Sequence, residues 1–100
     1  MSKALFSVSY EINPEKRDEY LKLMKEIKTF VKKAAGVEFT VFEDSERPFL
    51  MSEVYYVEDK AKIKKIKELQ DNKAESLFSQ IDQFLVDQSQ VVMRSFVEAV

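Results

Sequence analysis

The stretch Gly36 to Glu58, GVEFTVFEDSERPFLMSEVYYVE, constrains the fold more than any other part of the chain. Two runs rich in Val, Phe and Tyr flank an acidic, proline-bearing turn, Glu43-Asp44-Ser45-Glu46-Arg47-Pro48. Branched and aromatic residues suit a pleated, half-buried surface, and the polar turn reverses the chain, so the segment predicts a β-hairpin. In the first strand Val37, Phe39 and Val41 share one face, against Glu38, Thr40 and Phe42. In the second, Met51, Glu53, Tyr55 and Val57 alternate with Leu50, Ser52, Val54 and Tyr56. Both faces are apolar enough to need cover, unlike a sheet with one wet side.

The flanking segments supply the cover. Ala4 to Ile12 alternates, with Ala4, Phe6, Val8, Tyr10 and Ile12 on one side. Asn13-Pro14-Glu15 then reads as an N-cap, a proline at the first helical position and an acid in the first turn. The helix it opens, about Pro14 to Ala35, carries Tyr20, Leu23, Met24, Ile27, Phe30, Val31 and Ala34 in one stripe. Gly36, the only glycine, stands where a left-handed C-terminal cap is wanted. A second helical region runs from Glu58 to about Asp87, with apolar stripes at Ile63, Ile66, Leu69 and at Ala74, Leu77, Phe78, Ile81, Phe84, Leu85. The poor helix formers Asp71 and Asn72 predict a kink between them. Val91 to Val100 alternates as a last strand.

The order β-α-β-β-α-β predicts one α+β domain over residues 1–100 with a ferredoxin-like fold. Its four-stranded antiparallel sheet carries both helices on the face with Phe6, Val8, Phe39, Val41, Met51, Tyr55, Met93 and Val97. The opposite face then presents Phe42, Val54, Tyr56, Arg94 and Phe96 among small polar residues. A patch of that size marks an interaction site, and a second copy packed sheet on sheet is the simplest partner. A homodimer is expected. Arg94 is expected to make an intersubunit ion pair with a glutamate or to clamp an acidic ligand.

Composition excludes several functions. The chain has no histidine and no cysteine, which removes thiolate chemistry, the commonest metal ligand and the commonest general base near neutral pH. No metal and no cofactor are expected, since the acidic turn lacks the glycine-bearing pattern of a calcium loop. A net charge of −2 argues against nucleic acid and anionic membrane as partners. The RNA-recognition domains that share this element order need a basic Gly-aromatic run on the third strand, which Arg47 to Glu53 lacks. No signal-peptide core or membrane-length apolar run is present, so a cytoplasmic location is expected.

Three segments resemble the antibiotic-biosynthesis-monooxygenase-like (ABM-like) domains of the dimeric α/β-barrel superfamily. Tyr10-Glu11-Ile12-Asn13-Pro14-Glu15-Lys16-Arg17-Asp18-Glu19-Tyr20 resembles the opening strand followed by x-Pro-Gly-Lys-x-x-Glu-Phe. Gly36 to Asp44 resembles the glycine-started second strand with its acidic turn. Glu53-Val54-Tyr55 followed by Glu58-Asp59-Lys60-Ala61 resembles the Glu-x-Trp strand and the acidic start of the next helix. The resemblance implies a dimeric α/β barrel and carries a catalytic role onto Glu53 and a pocket role onto Tyr55. Those domains often have a His where this chain has Lys64-Lys65-Ile66-Lys67, and the haem-degrading branch relies on a His ligand. What the resemblance leaves open is cofactor-free oxygenation of a phenol or quinol.

The residues by themselves support two readings. By strand parity Glu53 points among Met51 and Tyr55, where an isolated carboxylate is costly and its pKa would rise, as suits a general base. Equally, Glu53 can be a hydrogen-bonded structural group. Tyr10 and Tyr55 can line a pocket for a small aromatic ligand or serve as core residues with a wet tip.

Overall fold

The computed structural model describes residues 3–58, 60–71, 77–86 and 90–100. Strand β1 (Ala4–Glu11) leads through one 3-10 turn, Pro14–Lys16, into α1 (Arg17–Ala35). The hairpin is β2 (Glu38–Glu43) and β3 (Leu50–Val57), followed by α2 (Lys60–Asp71), a 3-10 helix at Leu77–Phe84, and β4 (Val92–Val97). The sheet is antiparallel in the order β2-β3-β1-β4. This is the expected ferredoxin-like arrangement.

The start of the 3-10 turn and the end of α1 follow from their residues. Asn13 Oδ1 accepts the Glu15 N–H at 3.0 Å, and Pro14 needs no donor there. Gly36 closes the helix at φ 65°, its N–H donating to the Lys32 carbonyl at 2.9 Å. A Cβ on Gly36 would meet nothing nearer than Lys62 Nζ at 4.0 Å. Gly36→Ala therefore carries a purely conformational cost, and chemical denaturation should show a loss of about 1–2 kcal/mol.

Helix α1 buries Tyr20, Leu23, Met24, Ile27, Val31 and Ala35. The larger aliphatic side chains each contribute about 1.5–3 kcal/mol by leaving water. They meet the β1 residues Phe6, Val8 and Tyr10 and the β3 residues Met51 and Tyr55 in one core. Helix α2 adds Ile63 and Ile66, and the 3-10 helix adds Phe78, Ile81 and Phe84. Aromatic edges seat the 3-10 helix on α1, with Phe30 against Phe78 at 6.3 Å and Tyr20 against Phe84 at 6.0 Å. Backbone bonds fix its C-terminal end, Asn13 N–H to the Phe84 carbonyl and Val86 N–H to the Glu11 carbonyl. Helix α2 is described as far as Asp71; the kink expected at Asp71-Asn72, and Ala74 beyond it, lie outside the described residues.

One expectation is corrected here. Met93 and Val97 share the helix side of the sheet with Val8 and Ala4, yet they are 52% and 46% exposed. All six β4 residues are exposed. β4 is the sheet edge, and the short 3-10 helix beside it leaves this margin open.

The hairpin turn uses its acids on itself. Asp44 Oδ1 accepts the N–H groups of Glu46 and Arg47, which hold its pKa below the usual carboxylate range. Glu43 accepts from Arg17 and from the Phe49 N–H, with the same effect on its pKa. Those N–H bonds lie beside Phe49, which stands at φ 76°, a strained setting for a non-glycine residue. The acidic cluster is thus a turn device.

Candidate functional site

The strand register decides what surrounds Glu53. On the helix side of the sheet it lies between Val41 on β2 and Val8 on β1, with Met93 next beyond Val8 on β4. Glu53 is 1% exposed and is the buried charged residue among the described ones. Tyrosine hydroxyls meet its carboxylate. Tyr55 donates to Oε1 at 2.5 Å, and Tyr10 donates to Oε2 in a short hydrogen bond. The Tyr20 hydroxyl lies 2.8 Å from that of Tyr10. Because Tyr10 has one hydrogen and gives it to Glu53, Tyr20 is the donor in that pair. A directed chain runs Tyr20 to Tyr10 to Glu53.

The expected site residues Glu53, Tyr10 and Tyr55 therefore stand together. Tyr20 joins them from α1, where its place in the apolar stripe marks it as a core residue and hides the hydroxyl's role. A step of two along β3 puts Tyr55 beside Glu53, and pairing of β1 with β3 brings Tyr10 across.

Burial, then the nearby Glu53 carboxylate, pushes the Tyr10 pKa well above that of a free tyrosine. Burial, above all, also raises Tyr20. Raised folded-state values favour the folded form fully below the unfolded tyrosine pKa, near 10, and that contribution is lost as pH rises beyond it. Stability should stay level up to about pH 10 and fall above. Absorbance of tyrosinate should show a late phase coincident with unfolding, smaller in Tyr10→Phe/Tyr20→Phe. Complete ionisation near pH 10 in a chain still folded by circular dichroism would contradict this.

A cleft of about 60 Å³ reaches the cluster. Its walls are Val8, Tyr10 and Glu53 on the sheet, Phe78, Ile81, Asp82 and Leu85 at the 3-10 helix, and Val91 and Met93 at the open margin. The uncovered β4 edge and the cleft are one feature. A second groove, of about 340 Å³, lies at the other end of the sheet among Leu5, Tyr56, Phe96 and Val97.

The opposite sheet face carries Phe42, Val54, Tyr56, Arg94 and Phe96 in register. Phe42, Tyr56 and Phe96 are 49%, 44% and 49% exposed. Ser9 and Ser52 share a hydrogen bond at the middle of this face, 2.8 Å between hydroxyls. Glu38, on this face opposite Tyr56, pairs with Lys32 at 3.2 Å. Among the described residues, no set of acidic groups could hold a metal ion, and no helix is long and apolar enough to cross a membrane.

A scan against protein-family models and a search of curated proteins match nothing. Solved structures do match over nearly the whole chain. A conserved protein from Methanosarcina mazei Go1 has a TM-score of 0.72 at 16% identity, covering 94% of this chain and 92% of its own. A protein from Deinococcus radiodurans, named provisionally as an antibiotic biosynthesis monooxygenase, has a TM-score of 0.70 at 12% identity, covering 97% and 95%. A dimeric ferredoxin-like protein from an uncultured marine organism has a TM-score of 0.69 at 18% identity, covering 100% and 90%. The chain has the fold of the ABM-like structures, as its motifs suggest. At these identities the likeness is one of fold.

Proposed function

We propose that this protein is a cytoplasmic homodimer that binds a small aromatic or apolar molecule in the cleft beside Glu53. The observation that carries the reading is a buried carboxylate, bridged by tyrosine hydroxyls, at the inner wall of a largely apolar cleft open to solvent. Buried carboxylates are costly, and a fold that needed only stability would fill this position with an aliphatic side chain. A ligand hydroxyl can share the carboxylate, while Val8, Phe78, Ile81 and Leu85 take the apolar body. An enclosed cavity that holds benzene measures about 150 Å³, so a ring enters this smaller cleft edge-first and stays partly outside. The exposed aromatics of the far face support pairing with a second copy, and one structural neighbour is named as dimeric.

Calorimetric titration with 4-ethylphenol tests the binding. Glu53→Gln should weaken it roughly 10- to 100-fold, the worth of a hydrogen bond to a charged group. Equal heats in the two proteins, or none in either, contradict the proposal.

A second reading has its own support, because the cleft reaches the carboxylate and structural neighbours are named as monooxygenases. Glu53 would take the proton of a phenol, and the electron-rich ring carbon opposite the oxygen would react with O2. The ring C–H becomes C–OOH. Loss of water then leaves a carbonyl, so that phenol plus O2 gives quinone plus water with the substrate as sole reductant. Oxygen uptake with a phenol that keeps a hydrogen opposite its hydroxyl, such as 1-naphthol, abolished in Glu53→Gln, is the expected signature; uptake unchanged in that variant contradicts it.

A further inference from the structure

The charges on the far face of the sheet select how two copies meet, given the homodimer proposed above. Glu38 stands exposed on β2, in the row that continues through Tyr56 and Leu5 to Phe96 on β4. Arg94 stands exposed on β4, in the next row, which runs through Ser7 and Val54 to Thr40 on β2. The face therefore carries an acid at one edge and a base at the other. Neighbouring strands lie about 4.8 Å apart, so three spacings, roughly 14 Å, separate β2 from β4. Glu38 and Arg94 cannot meet within one chain.

Two sheets packed face to face with nearly aligned strands admit a two-fold axis along the strands or across them. An axis across the strands sets Arg94 against the partner's Arg94, and Phe42 against the partner's Glu38. An axis along the strands keeps each row on its own counterpart and lays β4 over the partner's β2. Arg94 then faces the partner's Thr40, with the partner's Glu38 about 7 Å further along that strand, within the reach of an arginine. Apolar residues match in the same arrangement, Leu5 meeting the partner's Tyr56 and Phe42 the partner's Val92. We infer that the two copies pack about an axis parallel to the strands, and that each Arg94 pairs with Glu38 of the partner subunit. The pair forms twice per dimer, and the face is thus complementary to itself in charge as well as in apolar surface. Glu38 has two carboxylate oxygens, so its exposed contact with Lys32 on α1 does not compete with this pairing.

Charge exchange tests the pairing, with the dimer dissociation constant read by sedimentation velocity over a range of protein concentrations. Arg94→Glu and Glu38→Arg should each raise the constant roughly 10- to 100-fold, because two attractions become two repulsions. Both changes in one chain restore opposite charges and should return the constant to within about three-fold of the parent. Lys32→Ala, which removes the partner of Glu38 on α1, should not loosen the dimer. Three results overturn the pairing and leave the homodimer standing: no effect of Glu38→Arg, a combined variant no tighter than the single ones, or a Lys32→Ala dimer as weak as that of Glu38→Arg. A parent protein that stays monomeric overturns both.

Discussion

Glu53→Leu should lower the unfolding free energy by about 2–4 kcal/mol and abolish binding in the cleft. Leucine has nearly the right bulk, so the cost is one of hydrogen bonding. Tyr10 and Tyr55 are 2% and 0% exposed, and each gives its hydrogen to Glu53. Without the acceptor, each hydroxyl loses its bond to the carboxylate in the interior, at about 1–3 kcal/mol apiece. Relief from burying a carboxylate offsets part of that sum. The companion variant makes the argument specific. Glu53→Leu combined with Tyr10→Phe, Tyr20→Phe and Tyr55→Phe removes donors and acceptor together and should recover most of the stability, while binding stays lost. Denaturant unfolding of the two variants measures both effects. A single variant as stable as the parent would mean that the tyrosines do not depend on the carboxylate.

In the proposed homodimer, Tyr56→Glu/Phe96→Glu should separate the two copies into monomers. Tyr56 and Phe96 both stand opposite Leu5 in the register, so the three form an apolar row across β3, β1 and β4. Covering that row with a second copy buries aromatic surface, and two-fold symmetry brings four new carboxylates into one interface. Their desolvation should raise the dissociation constant on the order of a thousand-fold or more. Sedimentation velocity at micromolar protein measures it. Sedimentation of the unaltered protein as a monomer would contradict the homodimer outright.

Where side-chain alternation is regular, the sequence is a good guide to this fold. β1 and β3 alternate buried and partly exposed residues along almost their whole lengths, so the inward aim of Tyr10, Glu53 and Tyr55 follows from parity. Gly36 and Asn13 mark the limits of the first helical segment through local backbone chemistry. The cleft is another matter. A spacing of three and four residues from Phe78 to Phe84 suits a 3-10 helix as well as an α-helix, and only the tighter form is seen here. The exposure of Met93 depends on how far that short element reaches over the sheet, which no strand pattern records. Tyr20 reads as one apolar position among several. Its hydroxyl meets Tyr10 through a contact between α1 and β1.

The central claim is that a small aromatic molecule occupies the cleft at Glu53. The most direct measurement is a chemical-shift titration of the labelled protein with 4-ethylphenol. Saturable shifts confined to the backbone and side chains of Val8, Tyr10, Glu53, Ile81, Leu85 and Met93 are expected. Absence of shifts there, or shifts gathered instead at the groove of Tyr56, Phe96 and Val97, would contradict it.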